Sequence, residues 1–100
     1  MNAYNLNRRT PNEIDLLIAG RLRDIRRRRR ISQARLAEKS GVSLGSIKRF
    51  EQTGEISLHS LTKLSLALEV DRELEGLFAE APYLSIDEVI YESNETNHKS

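Results

Sequence analysis

The stretch LAEKSGVSLGSIKRFE, residues 36–51, constrains the fold of this chain more than any other part of it. Two helix-favouring runs meet there at Gly41-Val42-Ser43. Each falls short of the roughly 12–15 residues that an isolated helix needs in water. Both therefore depend on tertiary support, and the offsets of their apolar and small residues say how it is given. Leu36 and Ala37 face inward on the first run, with Ala37 small where two helices must cross closely. Gly41 supplies the positive φ of a turn of about three residues. Val42 tucks beneath that turn, and Ile47 and Phe50 anchor the second run. So short a turn crosses two helices steeply and leaves one of them with an outer face free to protrude.

The remaining elements follow from caps and periodicity. Thr10-Pro11-Asn12-Glu13 reads as a helix start, with Thr10 as cap, Pro11 in the first helical position and Glu13 completing a capping box. Ile14, Ile18, Leu22 and Ile25 then form one apolar stripe, interrupted by Gly20, which marks a kink or a later start. Ser32 caps a second helix over residues 33–40, stopped by Gly41, and Ser43 caps a third that ends near Gln52. Thr53-Gly54-Glu55 reads as a loop. Ser57 caps a fourth helix with Leu58, Leu61, Leu64, Ala67 and Leu68 on its apolar side. Asp71 caps a short fifth helix carrying Leu74, Leu77 and Phe78, which Pro82 breaks. Residues 85–91 are a further helical turn or a strand, since a capping box and β-favouring side chains coincide there. The expectation is an all-α, five-helix domain over residues 11–80. A polar tail (1–10), a short C-terminal extension (81–92) and a disordered end (93–100) flank it.

One hundred residues make one modest core, and three Tyr, two Phe and no Trp make it an aliphatic one. The formal net charge of +1 conceals a segregation. Residues 8–49 hold thirteen Lys/Arg against four Asp/Glu, a net +9, while residues 50–100 hold three against eleven, a net −8. So polarised a chain attracts a polyanion at one end and repels it at the other. With no cysteine there is no disulfide framework or thiolate metal site. No apolar run approaches the roughly 20 residues of a membrane span, and no secretory pattern opens the chain, so the expected address is the cytoplasm. Catalysis is not expected either. His59 and His98 lie in a polar first turn and in the tail, the serines fall mainly at caps, and Asp87-Glu88 serves a cap. No catalytic residue, metal site or cofactor is assigned.

RLRDIRRRRRISQARLAEKSGVSLGSIKRFEQTGEISLHSLTKLSLALEV, residues 21–70, resembles the DNA-binding domain of the phage-repressor (Cro/C1, lambda-repressor-like) family. The Ser-Gln start, Leu-Ala, Ser-Gly-Val-Ser, the inward Ile and the Phe-Glu ending are all present and in register. The resemblance implies a five-helix bundle, commonly a homodimer reading two half-sites of a double-stranded DNA operator, with the third helix (43–52) in the major groove. It implies a phosphate contact for Gln33 and groove-facing positions for Ser43, Leu44, Gly45 and Arg49. It pairs Arg26 with Glu51 in a structural clamp, which also keeps the lone acid of the third helix from facing phosphates unpaired.

Three positions depart from the family pattern. Leu44 and Gly45 stand where long polar side chains are usual. Leu44 can at best pack on a thymine methyl, so direct readout leans on Arg49, able to grip guanine O6/N7. Gly45 either lets the backbone approach DNA closely or is a tolerated glycine near a helix start. Ser46 and Lys48 support through phosphate. Of the run Arg26–Arg30, Arg28 represents the part that touches phosphate, giving affinity and salt dependence with little sequence choice. Arg30 stands where the family often has glycine, so a left-handed turn there would be strained.

The acidic half carries Leu74, Leu77, Phe78, Tyr83, Leu84, Ile86, Val89 and Ile90, more apolar residues than a small bundle needs to close its end. Residues 70–91 are accordingly read as a dimer or partner surface, with packing on Ile14, Leu17 and Ile18 as the intramolecular alternative. Small regulators with such extensions also resemble antitoxins that bind both their operator and a HipA-like toxin kinase. A protein-only adaptor on the same fold is the remaining alternative.

Overall fold

The computed structural model describes residues 8–80, which form five α-helices joined by short turns. They are α1 (Pro11–Arg28), α2 (Gln33–Ser40), α3 (Leu44–Thr53), α4 (Leu58–Ala67) and α5 (Asp71–Glu75). No strand occurs among the described residues. The expectations for residues 1–7, 81–92 and 93–100, including the element at 85–91, lie outside them.

Each long helix starts where a hydroxyl can replace a missing partner. Thr10 Oγ1 accepts the Glu13 N–H at 3.2 Å while the Thr10 N–H donates to Glu13 Oε1 at 2.8 Å. Those bonds hold the Glu13 carboxyl below its usual pKa. Ser32, Ser43 and Ser57 cap α2, α3 and α4 through the N–H groups of Arg35, Ser46 and Ser60. Gly20 does not delay α1, which runs through it as one continuous helix from Pro11 to Arg28.

The ends of α1 and α4 share one device. Arg30 N–H bonds Arg27 O and Ile31 N–H bonds Arg26 O, as Glu69 N–H bonds Leu66 O and Val70 N–H bonds Ser65 O. This double closure places Arg30 and Glu69 at φ of 57° and 59°, a left-handed position that glycine ordinarily fills. Arg30 therefore adopts the strained turn its side chain disfavours. Arg30→Gly should raise stability by about 1 kcal/mol, read as a higher urea midpoint, because relief of the strain exceeds glycine's extra chain entropy.

Seven residues form the buried core: Ala19, Leu36, Val42, Ile47, Phe50, Leu64 and Leu68. Helix α1 packs on α3, α2 packs on both α3 and α4, and α4 packs on α5. Phe50 is the one aromatic side chain among these seven residues.

Several expectations about burial and helix ends change. The stripe of α1 does not bury its N-terminal members, for Ile14 and Ile18 are 45% and 41% exposed. The helix is instead buried at Ala19 and Arg26, because α3 crosses it through a small side chain and an ion pair. Leu58, the first residue of α4, is exposed, while Ser65 is buried with its hydroxyl bonded to Leu61 O. Asp71 does not cap α5. Val70 occupies that position without a side-chain bond, because the chain closes α4 and opens α5 on the same residue. Finally, α5 stops at Glu75, so Leu77 and Phe78 lie beyond it, with Phe78 left-handed (φ 61°) and 85% exposed.

Candidate nucleic-acid interface

The turn between α2 and α3 is built to aim α3. Gly41 sits at φ 77°, its N–H closing on Ala37 O, and Val42 is buried beneath it with its N–H on Ser40 Oγ at 3.1 Å. Ser43 then opens α3, its Oγ accepting from Ser46 N–H and donating to Ser46 Oγ at 2.8 Å. Ile47 and Phe50 are buried, which rotates Gly45, Ser46, Lys48 and Arg49 outward, all exposed. Leu44 is half-buried, and nothing in the protein lies within 4 Å of where a Cβ on Gly45 would stand.

Behind this face α3 is tied to α1 and α2 by one carboxylate. Arg26 Nε donates to Glu51 Oε2 at 2.7 Å and Nη2 to Oε1 at 2.9 Å, while Arg26 Nη1 reaches Ile31 O at 2.8 Å. Gln33 Nε2 donates to Glu51 Oε1 at 2.9 Å. The Arg26 and Glu51 side chains are only 9% and 8% exposed. Burial opposes the charge on Glu51. The hydrogen bonds from Arg26 and Gln33, with the positive charges of Arg26 and Arg23, outweigh it and hold this carboxyl below its usual pKa. Three helices thus converge on a group that is charged at neutral pH.

The remaining residues fall in two sets. Arg28 is exposed in the last turn of α1, beside Arg27. Arg49 lies in the exposed face of α3, yet its guanidinium is engaged, with Nη2 at 3.0 Å and Nε at 3.3 Å from Glu55 Oε2. Glu55 carries no signal in the sequence beyond its place in a loop. Its proximity to Arg49 follows from the left-handed turn at Gly54 (φ 81°). Gly54 itself abuts the α1 backbone at Asp15 and Leu16, a contact that no spacing rule announces.

No helix among the described residues is long and apolar enough to cross a membrane. The helix-turn-helix family matches residues 22–74, a span that begins within α1 and ends within α5. No curated protein matches the chain, and no solved structure does. Five helices in this order, with α2 and α3 joined through Gly41 and the family match covering over half the residues, place the chain. It belongs to the Cro/C1-type helix-turn-helix family of DNA-binding transcriptional regulators, with a lambda-repressor-like fold.

Proposed function

We propose that this protein is a cytoplasmic, sequence-specific repressor that occupies a double-stranded DNA operator as a homodimer, with α3 in the major groove. The observation that carries the reading is the outward face of α3, with Gly45, Ser46, Lys48 and Arg49 exposed, mounted on a rigid buried clamp. It lies in the basic half of the chain, so the face that protrudes is also the face DNA attracts.

Roles follow from chemistry at each position. Arg49 reads a base edge by a bidentate grip on guanine, and Leu44 offers at most contact with a thymine methyl. Gly45, with no side chain in the way, lets the first turn of α3 come close to the duplex. The Ser43 hydroxyl is committed to its cap, so its contribution to the groove is chiefly to hold that turn. Ser46, Lys48 and Arg28 bind phosphate. Gln33 spends one amide N–H on Glu51 and keeps the other, together with its backbone N–H at the start of α2, for a phosphate oxygen. Dimerisation is assigned to residues 70–91, with exposed apolar side chains of α4 beside them. Leu58, Leu66, Leu74, Leu77 and Phe78 line one hollow between α4 and α5, and four of the five are exposed. A second copy would cover them.

The test is selection of duplexes from a randomised pool, followed by titration of the selected duplex and a scrambled one over a salt series. Arg49→Ala should weaken binding to the selected duplex by about 1–3 kcal/mol and relax preference at one base pair. Arg28→Ala should weaken both duplexes alike and lower the salt slope by about 1. If Arg49→Ala keeps full sequence preference, α3 is not reading DNA through this residue.

A further inference from the structure

We infer that Glu55 is a specificity-determining residue: it holds the Arg49 guanidinium by one edge so that the other edge is presented, pre-oriented, to a base. The inference rests on the reading of Arg49 as the base-contacting side chain. A guanidinium has two bidentate edges, one made by Nε with Nη2 and one made by Nη1 with Nη2. Glu55 Oε2 takes the first edge, at 3.3 Å from Nε and 3.0 Å from Nη2. Among the described residues Nη1 makes no hydrogen bond, and the second N–H of Nη2 points along the same end of the fork. That free end matches the O6/N7 pair of guanine.

The backbone of Glu55 is itself fixed in place. Thr53 Oγ1 donates to Arg49 O at 2.7 Å and accepts the Glu55 N–H at 3.2 Å, so one hydroxyl bridges the two partners' backbones. Between them Gly54 is buried against the α1 backbone at a left-handed φ of 81°. The carboxylate therefore hangs from a turn anchored on the core.

The exposure of the pair separates this role from a structural one. Arg49 and Glu55 side chains are 67% and 61% exposed, a setting in which an ion pair adds little to stability. Electrostatics alone also argues against placing an acid here, since a carboxylate beside a DNA-facing helix repels phosphates. An acid at this position makes sense where orientation matters more than charge. A free arginine loses its rotamer freedom on binding, at a cost of about 2- to 10-fold in affinity, and a pre-held one does not.

The experiment uses the full chain, the duplex that the wild-type protein selects from a randomised pool, and a scrambled duplex of equal length. The readout is the ratio of the two affinities for wild type, Glu55→Gln, Glu55→Ala and Arg49→Ala, with thermal melts to show that each variant is folded. Glu55→Ala should lower the ratio about 2- to 10-fold while binding to the scrambled duplex stays level or tightens. Glu55→Gln retains an acceptor oxygen for the same edge and should fall between wild type and Glu55→Ala. If Glu55→Ala tightens both duplexes equally and leaves the ratio unchanged, Glu55 contributes only charge and the inference fails, while the role of Arg49 stands. If Arg49→Ala leaves the ratio unchanged, the base-reading assignment fails and this inference with it.

Discussion

Glu51→Ala should destabilise the protein by about 3–5 kcal/mol, a large part of what a domain of this size has. The cost comes less from the lost attraction than from what remains. Arg26, 9% exposed at its side chain, would be left with Ile31 O as its partner and no counter-charge. Gln33 would lose its acceptor as well. Arg26→Ala should cost a similar amount for the mirrored reason, whereas replacing both partners by apolar residues of like volume should recover much of the loss. Urea denaturation of the two single variants and the Arg26→Met/Glu51→Leu double variant checks this. Two single losses that simply add in the double variant would overturn it.

The same carboxyl makes stability acid-sensitive in a defined direction. Its folded-state pKa is lowered from the ordinary 4.5, so its contribution is complete above that value and is lost as pH falls through the lower folded value. The urea midpoint of the wild type should fall as the medium is acidified below about pH 4.5, and that of Glu51→Gln should fall less steeply.

Gly54→Ala is the second change expected to do severe damage, at about 2–5 kcal/mol. A Cβ at residue 54 would stand 2.7 Å from the backbone carbon and the Cβ of Asp15 and 2.9 Å from the Leu16 nitrogen. These atoms belong to the wall of α1 and have no rotamer to escape into. The φ of 81° adds the left-handed penalty of any side chain. Gly41 provides the control. It has a similar φ of 77° but open space around a would-be Cβ, so Gly41→Ala should show the conformational cost alone, about 1–2 kcal/mol. Equal losses for the two variants in urea denaturation would mean that the α1 contact at Gly54 is not tight. Since α1 also carries Arg26, separation of α1 from α3 at Gly54 should loosen the clamp at Glu51 too.

Much of the fold is legible residue by residue. Thr10, Ser32, Ser43 and Ser57 announce four helix starts, Gly41 announces the stop of α2, and the inward set Leu36, Val42, Ile47 and Phe50 marks the turn between α2 and α3. The candidate interface is legible in part. The periodicity of α3 separates buried Ile47 and Phe50 from exposed Lys48 and Arg49, because rotation about a helix is a local property. It does not reveal that Arg49 is held by Glu55, or that Gln33 spends an amide proton on Glu51. The apolar stripe of α1 misleads for a related reason. Periodicity says which side chains share a face, and only the crossing of α3 says how much of that face is covered.

Caps, periods and the glycine turn belong to spans of a few residues, where backbone sterics and hydrogen-bond geometry leave few options, and the sequence alone determined them. The sequence likewise determined that this chain would present a basic helix-turn-helix, since charge and turn lie within the same stretch. Tertiary structure decided the rest. Gly54 is indispensable because residues 15 and 16 pass beneath it, Glu55 faces Arg49 because Gly54 turns left-handed, and Glu51 joins three helices because Arg26 and Gln33 arrive from two others. Such contacts depend on distances across the packed molecule, and a close approach between remote segments leaves no local pattern to read.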